Sequence, residues 1–102
     1  MSVVYIEPAQ NKYFKEDVPL AGQALVSQPC IVWDITLTND TGATITISFA
    51  DATTYDVASR YFKVCVAASS TIHLNFPIGK KFTNGLSCKP NVAGLDIAIT
   101  YD

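Results

Sequence analysis

One-by-one alternation of apolar and polar residues constrains this fold more than any other feature of the sequence. The clearest case is residues 31–38, where Ile31, Trp33, Ile35 and Leu37 share one side and polar residues dominate the other. Successive side chains of a β-strand point to opposite faces, so this run predicts a strand with one face on a core. Helical spacing is nearly absent, which indicates an all-β fold.

Further alternating runs follow at residues 43–49, 61–66, 71–76 and 95–101. The segment Asn39-Asp40-Thr41-Gly42 separates the first two runs, and Asn, Asp and Gly favour turn geometry. Two alternating runs across a short polar turn are typical of a β-hairpin, so we predict one over residues 31–49.

Turn-forming residues divide the rest of the chain. Pro77 cannot donate a ladder hydrogen bond and is predicted to end the strand before it. Residues 78–85 then form a loop, and residues 86–88 form a short strand. The total of about seven or eight strands predicts an antiparallel, jelly-roll-like β-sandwich. The expected core comprises the inward-phase residues Trp33, Ile35, Leu37, Ile45, Ile47, Phe49, Phe62, Val64, Ile72, Leu74, Phe76, Ile97 and Ile99.

The first 30 residues are less regular. Residues 3–6 and 24–26 have extended character, while residues 7–23 contain prolines and mixed charges and are interpreted as an arm or a long loop. We therefore divide the single domain of 102 residues into an N-terminal arm or edge-strand segment, residues 1–30, and a sandwich core, residues 31–102.

Composition narrows the class of protein. Apolar residues make up 49% and charged residues 16%, which indicates a folded chain. The net charge of −2 comes with no basic field, so we expect no nucleic-acid partner. No apolar run approaches the roughly 20 residues that span a bilayer, and the N-terminus does not resemble a secretory signal. We expect no membrane partner and synthesis in a cytoplasm. Cys30, Cys65 and Cys88 are an odd, widely spaced set, not a disulfide framework.

Candidate chemistry is sparse. His73 is the sole histidine, and its phase points it away from the core. A zinc site is not predicted, because no Cys or His residues are paired at short spacing. Asp40 and Asp51 are predicted to lie in turns, where Asp is favoured because its side chain forms local hydrogen bonds with the backbone. Cys88 shares a phase with core residues, whereas Cys65 is on the polar face. We therefore expect no catalytic residues, no metal and no cofactor.

Aromatic side chains offer the best candidates for binding. Several do not fall clearly on inward phases, namely Tyr5, Tyr13, Phe14, Tyr55 and Tyr61. Exposed aromatics mark interfaces or sugar-stacking platforms, and half-buried ones also cover sheet edges. Tyr13, Phe14, Tyr55 and Tyr61 are the predicted interface residues.

Three blocks of sequence resemble a family of small β-sandwich virion proteins of tailed bacteriophages. The first runs from Ile35 through the Asn39-Asp40-Thr41-Gly42 turn to residues 49–52, and the second covers residues 67–79. The third is residues 81–87 followed by the closing strand. The Phe-Pro-x-Gly and Phe-x-Asn-Gly-Leu elements within residues 76–86 are the most specific part.

The resemblance implies a structural protein of the virion, made in the host bacterial cytoplasm, with no catalytic residues. It favours a capsid decoration protein that binds the major capsid protein or another virion protein. The open edges of a sandwich and the high apolar fraction of the chain also predict self-association, with a trimer favoured. A tail or neck component is an alternative. A carbohydrate-binding module that uses exposed tyrosines such as Tyr55 and Tyr61 is another.

Overall fold

A computed structural model describes residues 11–102 of the chain. These residues form eight strands: β1 (Asn11–Lys15), β2 (Gln23–Val26), β3 (Cys30–Asn39), β4 (Ile45–Ala50), β5 (Arg60–Val66), β6 (Ser70–Phe82), β7 (Leu86–Pro90) and β8 (Leu95–Tyr101). A short 3₁₀ turn, Val57–Ser59, precedes β5. The extended segment predicted at residues 3–6, including Tyr5, lies outside the described residues.

The strands form two antiparallel sheets of four. The first sheet has the order β1-β8-β3-β6, and the second has the order β2-β7-β4-β5. The ladders β1·β8, β2·β7, β3·β6 and β4·β5 are therefore nested, as in one long hairpin rolled into two layers. This connectivity is the jelly roll, which confirms the predicted fold class.

The core lies between the two sheets and follows the predicted alternation over most of its length. Seven predicted core residues are buried: Ile35, Leu37, Ile45, Ile47, Phe49, Ile97 and Ile99. Val18, Val32 and Phe82, which were not among the predicted core residues, are fully buried beside them. Burial of these apolar side chains is the main stabilising contribution to the folding of the sandwich.

A β-bulge reverses the predicted phase at the start of β3. The register shifts between Val32 and Asp34 in both ladders that β3 forms. Val32 is consequently buried, whereas Ile31 is 39% exposed and Trp33 is half-buried. The prediction of Trp33 as a core residue is therefore wrong, because one extra residue in a bulge moves the neighbouring side chains to the other face.

The predicted hairpin over residues 31–49 is also wrong, because β3 and β4 belong to different sheets. The turn between them crosses from one layer to the other. Buried Asn39 holds this crossing: its Nδ2 donates to the carbonyls of Ala43 and Val66, and its Oδ1 accepts from the Thr41 backbone N–H. An Asn-led turn thus connects the sheets instead of closing one ladder.

Strand β6 continues past Pro77, contrary to the predicted strand end and loop. The β3·β6 ladder pairs Asn75 with Asp34 and resumes at Lys80 with Val32, so Pro77 lies in an unpaired stretch of an edge strand. A proline is compatible with that position because no ladder bond is required there. Ile78, next to it, is 93% exposed.

Part of the segment predicted as an arm or loop, residues 7–23, is a strand. β1 pairs with β8 along its whole length, from Asn11 opposite Tyr101 to Lys15 opposite Ile97. β1 and β2 each occupy an outer position, one in each sheet. In the part of the chain that the structure describes, no helix has the length and apolar character needed to cross a bilayer.

Candidate interaction surfaces

One side of the sandwich is incompletely closed. β6 and β5 are the last strands of their respective sheets and contact each other, so two free strand edges lie on the same side. Their inward side chains were predicted as core, but Phe62, Val64, Leu74 and Phe76 are only half-buried. Ile72 is half-buried in the same way. The difference arises because an end strand has no neighbour to cover its outer side.

Phe62, Val64, Leu74 and Phe76 line an apolar groove of about 260 Å³. We call the surface formed by Tyr61, Phe62, Val64, Leu74, Phe76 and Lys80 the open flank. Tyr61 is 49% exposed and packs edge-on against Phe82, with ring centroids 5.6 Å apart. The Nζ atom of Lys80 lies 4.4 Å from the centroid of the Tyr61 ring, within range of a cation–π interaction. The groove is thus an apolar strip with one cation at its rim.

The free edges of β1 and β2 form the opposite flank of the sandwich. Phe14 on β1 is 62% exposed, and Leu20 in the connection to β2 is 51% exposed. Tyr13, its neighbour on β1, is half-buried and packs against the core, which is one of the two readings that the sequence left open for it. Burial, and secondarily the Cys88 thiol, raise the pKa of Tyr13. Phe14 is the exposed aromatic of edge strand β1, and its side chain lines a depression on the outer face of the first sheet with Asp34 and Thr100.

Tyr55 lies on a third surface, the outer face of the second sheet. A shallow depression of about 400 Å³ there is lined by Thr46, Ser48, Tyr55, Arg60, Lys63, Lys89, Pro90 and Asn91. We call these residues the cationic face. Lys63 and Lys89 are the cross-strand partners of Ser48 on its two sides, so the three side chains form a row across the sheet.

The four predicted interface residues are therefore spread over different parts of the molecule. Tyr61 is on the open flank and Tyr55 is on the cationic face. Tyr13 and Phe14 are on β1, the end strand that borders the opposite flank. The sequence did not reveal the groove or the row of cations, because each joins residues far apart in the chain. The apolar phases of residues 62–64 and 74–76 were the available signal for the groove, and they were interpreted as closed core.

A polar link joins the loop after β4 to the turn before β7. The Asp51 carboxylate accepts hydrogen bonds from the backbone N–H groups of Thr83 and Asn84 at 3.0 and 2.8 Å. Partial burial acts to raise the pKa of Asp51, but the backbone donors of Asn84, Thr83 and Gly85 outweigh it, and the pKa is lowered overall. The turn position predicted for Asp51 is confirmed, with a long-range partner.

The reactive side chains are dispersed. His73 is exposed as predicted, with Nδ1 2.8 Å from the hydroxyl of Thr36. Cys30 and Cys88 are buried and Cys65 is exposed, in agreement with the phases predicted for Cys65 and Cys88. Burial raises the pKa of Cys88 to about 12. Within residues 11–102, no three His, Cys, Asp or Glu side chains cluster in a way that would hold a metal ion.

Comparison with known proteins adds no family assignment. No protein-family model matches the sequence, and no curated protein matches it significantly. The class of the molecule is therefore defined by its fold and surfaces: an eight-stranded jelly-roll sandwich with one open flank and one cationic face.

Proposed function

We propose that this chain is a non-enzymatic assembly protein that self-associates and attaches to a bacteriophage capsid as a decoration protein. The observation that carries the proposal is the open flank, where two free strand edges border a half-buried apolar groove. Native proteins cover or charge free edges to avoid unwanted pairing. Covering this flank with a second copy would complete the burial of side chains that are left half-exposed in the single copy.

A closed ring, such as the favoured trimer, needs two different and complementary surfaces on each copy. The two flanks meet this requirement because the strand order puts them on opposite sides of the sandwich. The open flank supplies an apolar groove. The opposite flank supplies exposed Leu20, and exposed Phe14 lies beside it on the outer face of edge strand β1. We propose that the open flank of one copy receives the opposite flank of the next.

Attachment to a capsid rests on the resemblance to phage virion proteins, not on the geometry of one copy. A protein that binds only the assembled lattice stabilises that lattice by mass action. A ring with several equivalent contacts strengthens such attachment through multivalency. A tail or neck component would use the same surfaces, so the position in the virion needs its own experiment.

The carbohydrate-binding alternative, with Tyr55 and Tyr61 as a common platform, is less well supported. The two tyrosines line different depressions, one on the outer face of a sheet and one on the open flank. A platform for one sugar chain needs its aromatic rings on one surface.

Sedimentation velocity tests the self-association. We expect the wild type to sediment at a multiple of 11.0 kDa at micromolar concentration. Tyr61→Glu and Phe14→Glu should each sediment as monomers, because each places a charge in one half of the interface. Val92→Glu is the matched control, since Val92 is 40% exposed in the turn before β8, and it should behave as the wild type.

Mixing the two interface variants tests whether the contact is head-to-tail. Each variant keeps one intact flank, so an equimolar mixture should form a dimer and no larger ring. A strictly monomeric wild type, or a mixture that stays monomeric, would contradict the proposed contact.

Electron microscopy of the virion tests the decoration role. Density for this fold at repeated positions over the whole shell is the expected result. Density confined to the tail or to one vertex would overturn decoration and favour the tail or neck alternative.

A further inference from the structure

Positive charge is concentrated on one surface of a protein that is acidic overall. The sequence has seven Lys and Arg residues against nine Asp and Glu residues. Three of the seven cations, Arg60, Lys63 and Lys89, line the cationic face, and within residues 11–102 no acidic side chain lines it. A local field of this sign on an acidic protein attracts anions to this depression specifically.

The ladder register brings the cations close together. Lys63 and Lys89 flank Ser48 in adjacent strands, and adjacent strands are about 4.8 Å apart, so the two lysine backbones are separated by roughly 10 Å. Arg60 lies opposite Ala50, farther along the same ladder. An anionic group placed above Ser48 would have one lysine on each side of it.

Neutral hydrogen-bonding groups surround the same point. Thr46 and Ser48 line the depression, and the Thr46 hydroxyl lies 3.3 Å from the sulfur of Cys65. Asn91 is held rigidly, because its Oδ1 accepts from the Thr46 N–H at 2.9 Å and its own backbone N–H donates to the Thr46 carbonyl at 2.9 Å. With Oδ1 engaged, the Nδ2 group of Asn91 remains as a donor for a ligand.

Tyr55 completes the depression with an aromatic ring. A simple inorganic anion would use the cations alone, and an acidic peptide has no ring of hydroxyl-bearing carbons to lie on an aromatic face. A sugar has that ring, and its hydroxyls match the side chains of Thr46, Ser48 and Asn91. The volume of about 400 Å³ is within the usual range for small-ligand sites, roughly 300–1,000 Å³.

From this combination we infer that the cationic face is a binding site for an acidic saccharide, a sugar carrying a carboxylate or a sulfate. The acidic group lies between Lys63 and Lys89, the sugar ring packs on Tyr55, and the hydroxyls bond to Ser48 and Asn91. This site is separate from both flanks, so a ring assembled through the flanks leaves it available. The inference does not depend on the proposed self-association.

Isothermal titration with defined oligosaccharides tests the inference. The probes are an oligogalacturonate hexamer, a sulfated hexasaccharide and neutral maltohexaose. We expect at least one acidic probe to bind, with affinity that falls as salt rises, and maltohexaose not to bind. The two acidic probes distinguish carboxylate from sulfate recognition. Equal binding of the neutral sugar, or binding of neither acidic probe, would overturn the inference.

Variants locate the site. Lys63→Gln and Lys89→Gln should each weaken binding about tenfold or more, because each removes one charge-assisted contact with the acidic group. Lys81→Gln is the matched control, because Lys81 is exposed on β6 away from the depression, and it should bind as the wild type. A loss with Lys81→Gln equal to that with Lys63→Gln would indicate general charge attraction and refute a built site.

Tyr55 distinguishes a saccharide from an acidic peptide. Tyr55→Ala should weaken saccharide binding while Tyr55→Phe preserves it, because the ring face is the required group. A poly-glutamate peptide is the comparison ligand. If it binds as tightly as the acidic sugars and is insensitive to Tyr55→Ala, the site recognises acidic protein segments, and the saccharide inference is wrong.

Discussion

Replacing Asn39 is the sharpest test of how the two sheets are joined. Its side chain is fully buried, and its Nδ2 donates to the carbonyls of Ala43, Val66 and Ala67 at 2.8, 3.0 and 3.2 Å. Its Oδ1 accepts from the N–H and the hydroxyl of Thr41 at 2.9 and 2.6 Å. One amide thus connects the end of β3 with the start of β4 and the end of β5.

We expect Asn39→Ala to lower the free energy of unfolding by about 3–4 kcal/mol. The amide supplies about four effective hydrogen bonds, each worth roughly 0.5–1.5 kcal/mol net, and entry of water at the partly exposed carbonyls recovers a fraction. Asn39→Asp, although closer in size, should cost more at neutral pH. It replaces two donors with an oxygen that faces three carbonyls, which leaves a buried charge against acceptors.

The stability of the Asn39→Asp variant should also depend on pH, in a direction that follows from the buried carboxyl. In the Asn39→Asp variant, the introduced carboxyl would be protonated more readily in the folded state than in the unfolded state, so its folded pKa is raised. The protonated acid regains one donor, and the variant should therefore recover stability as pH falls and lose it as pH rises through that raised pKa.

Urea unfolding followed by tryptophan fluorescence measures these differences. Trp33 is the sole tryptophan, is half-buried, and donates from its indole N–H to Asp102 at 2.9 Å, so its emission should report unfolding. Asp40→Ala, at the exposed neighbouring turn position, is the control and should change stability by less than about 0.5 kcal/mol. If Asn39→Asp were as stable as Asn39→Ala at neutral pH, the reasoning would be refuted.

Three further predictions follow from the burial and hydrogen bonding of single residues. Leu37→Ala should cost about 2–5 kcal/mol in urea unfolding, while Leu74→Ala on the open flank should cost only about 1–2 kcal/mol in the monomer because it is half-buried. In native protein, Ellman's reagent should modify exposed Cys65 quickly and buried Cys88 only on unfolding; rapid modification in Cys65→Ser would contradict this. Asp51→Asn should lower the free energy of unfolding above a pH of about 4. The difference in unfolding free energy from the wild type should vanish as the pH falls through the lowered folded-state pKa of Asp51. A difference that does not change with pH would exclude a contribution from the carboxylate.

The secondary structure and much of the core could be predicted because both depend on local pattern. Alternation in residues 43–49 and 95–101 placed Ile45, Ile47 and Ile97 in the core, and all three are buried. Within a strand, the face of each side chain follows from its position relative to its neighbours. Turn chemistry was also readable, since Asn39 ends β3 directly before a turn and Asp51 lies in one, although their long-range partners were not visible.

The predicted faces and ends of strands were wrong where the regular pairing of a strand is interrupted. The bulge between Val32 and Asp34 moved Trp33 out of the predicted core, because an extra residue shifts the register of the residues before it relative to those after it. Pro77 was predicted to end its strand, but β6 continues around it because it is an edge strand with an unpaired stretch.

The surfaces proposed for function depend on the tertiary structure alone. The sequence by itself determined an all-β chain, the faces of most strands and the dispersed chemistry of His73 and the cysteines. The pairing of strands decided the rest. Leu74 is half-buried because β6 ends its sheet, and Lys63 and Lys89 share one depression because β5 and β7 both pair with β4. Alternation predicts which face of a strand a residue occupies. It does not predict which strand lies next to it, because strand pairing depends on contacts between segments that are distant in the sequence.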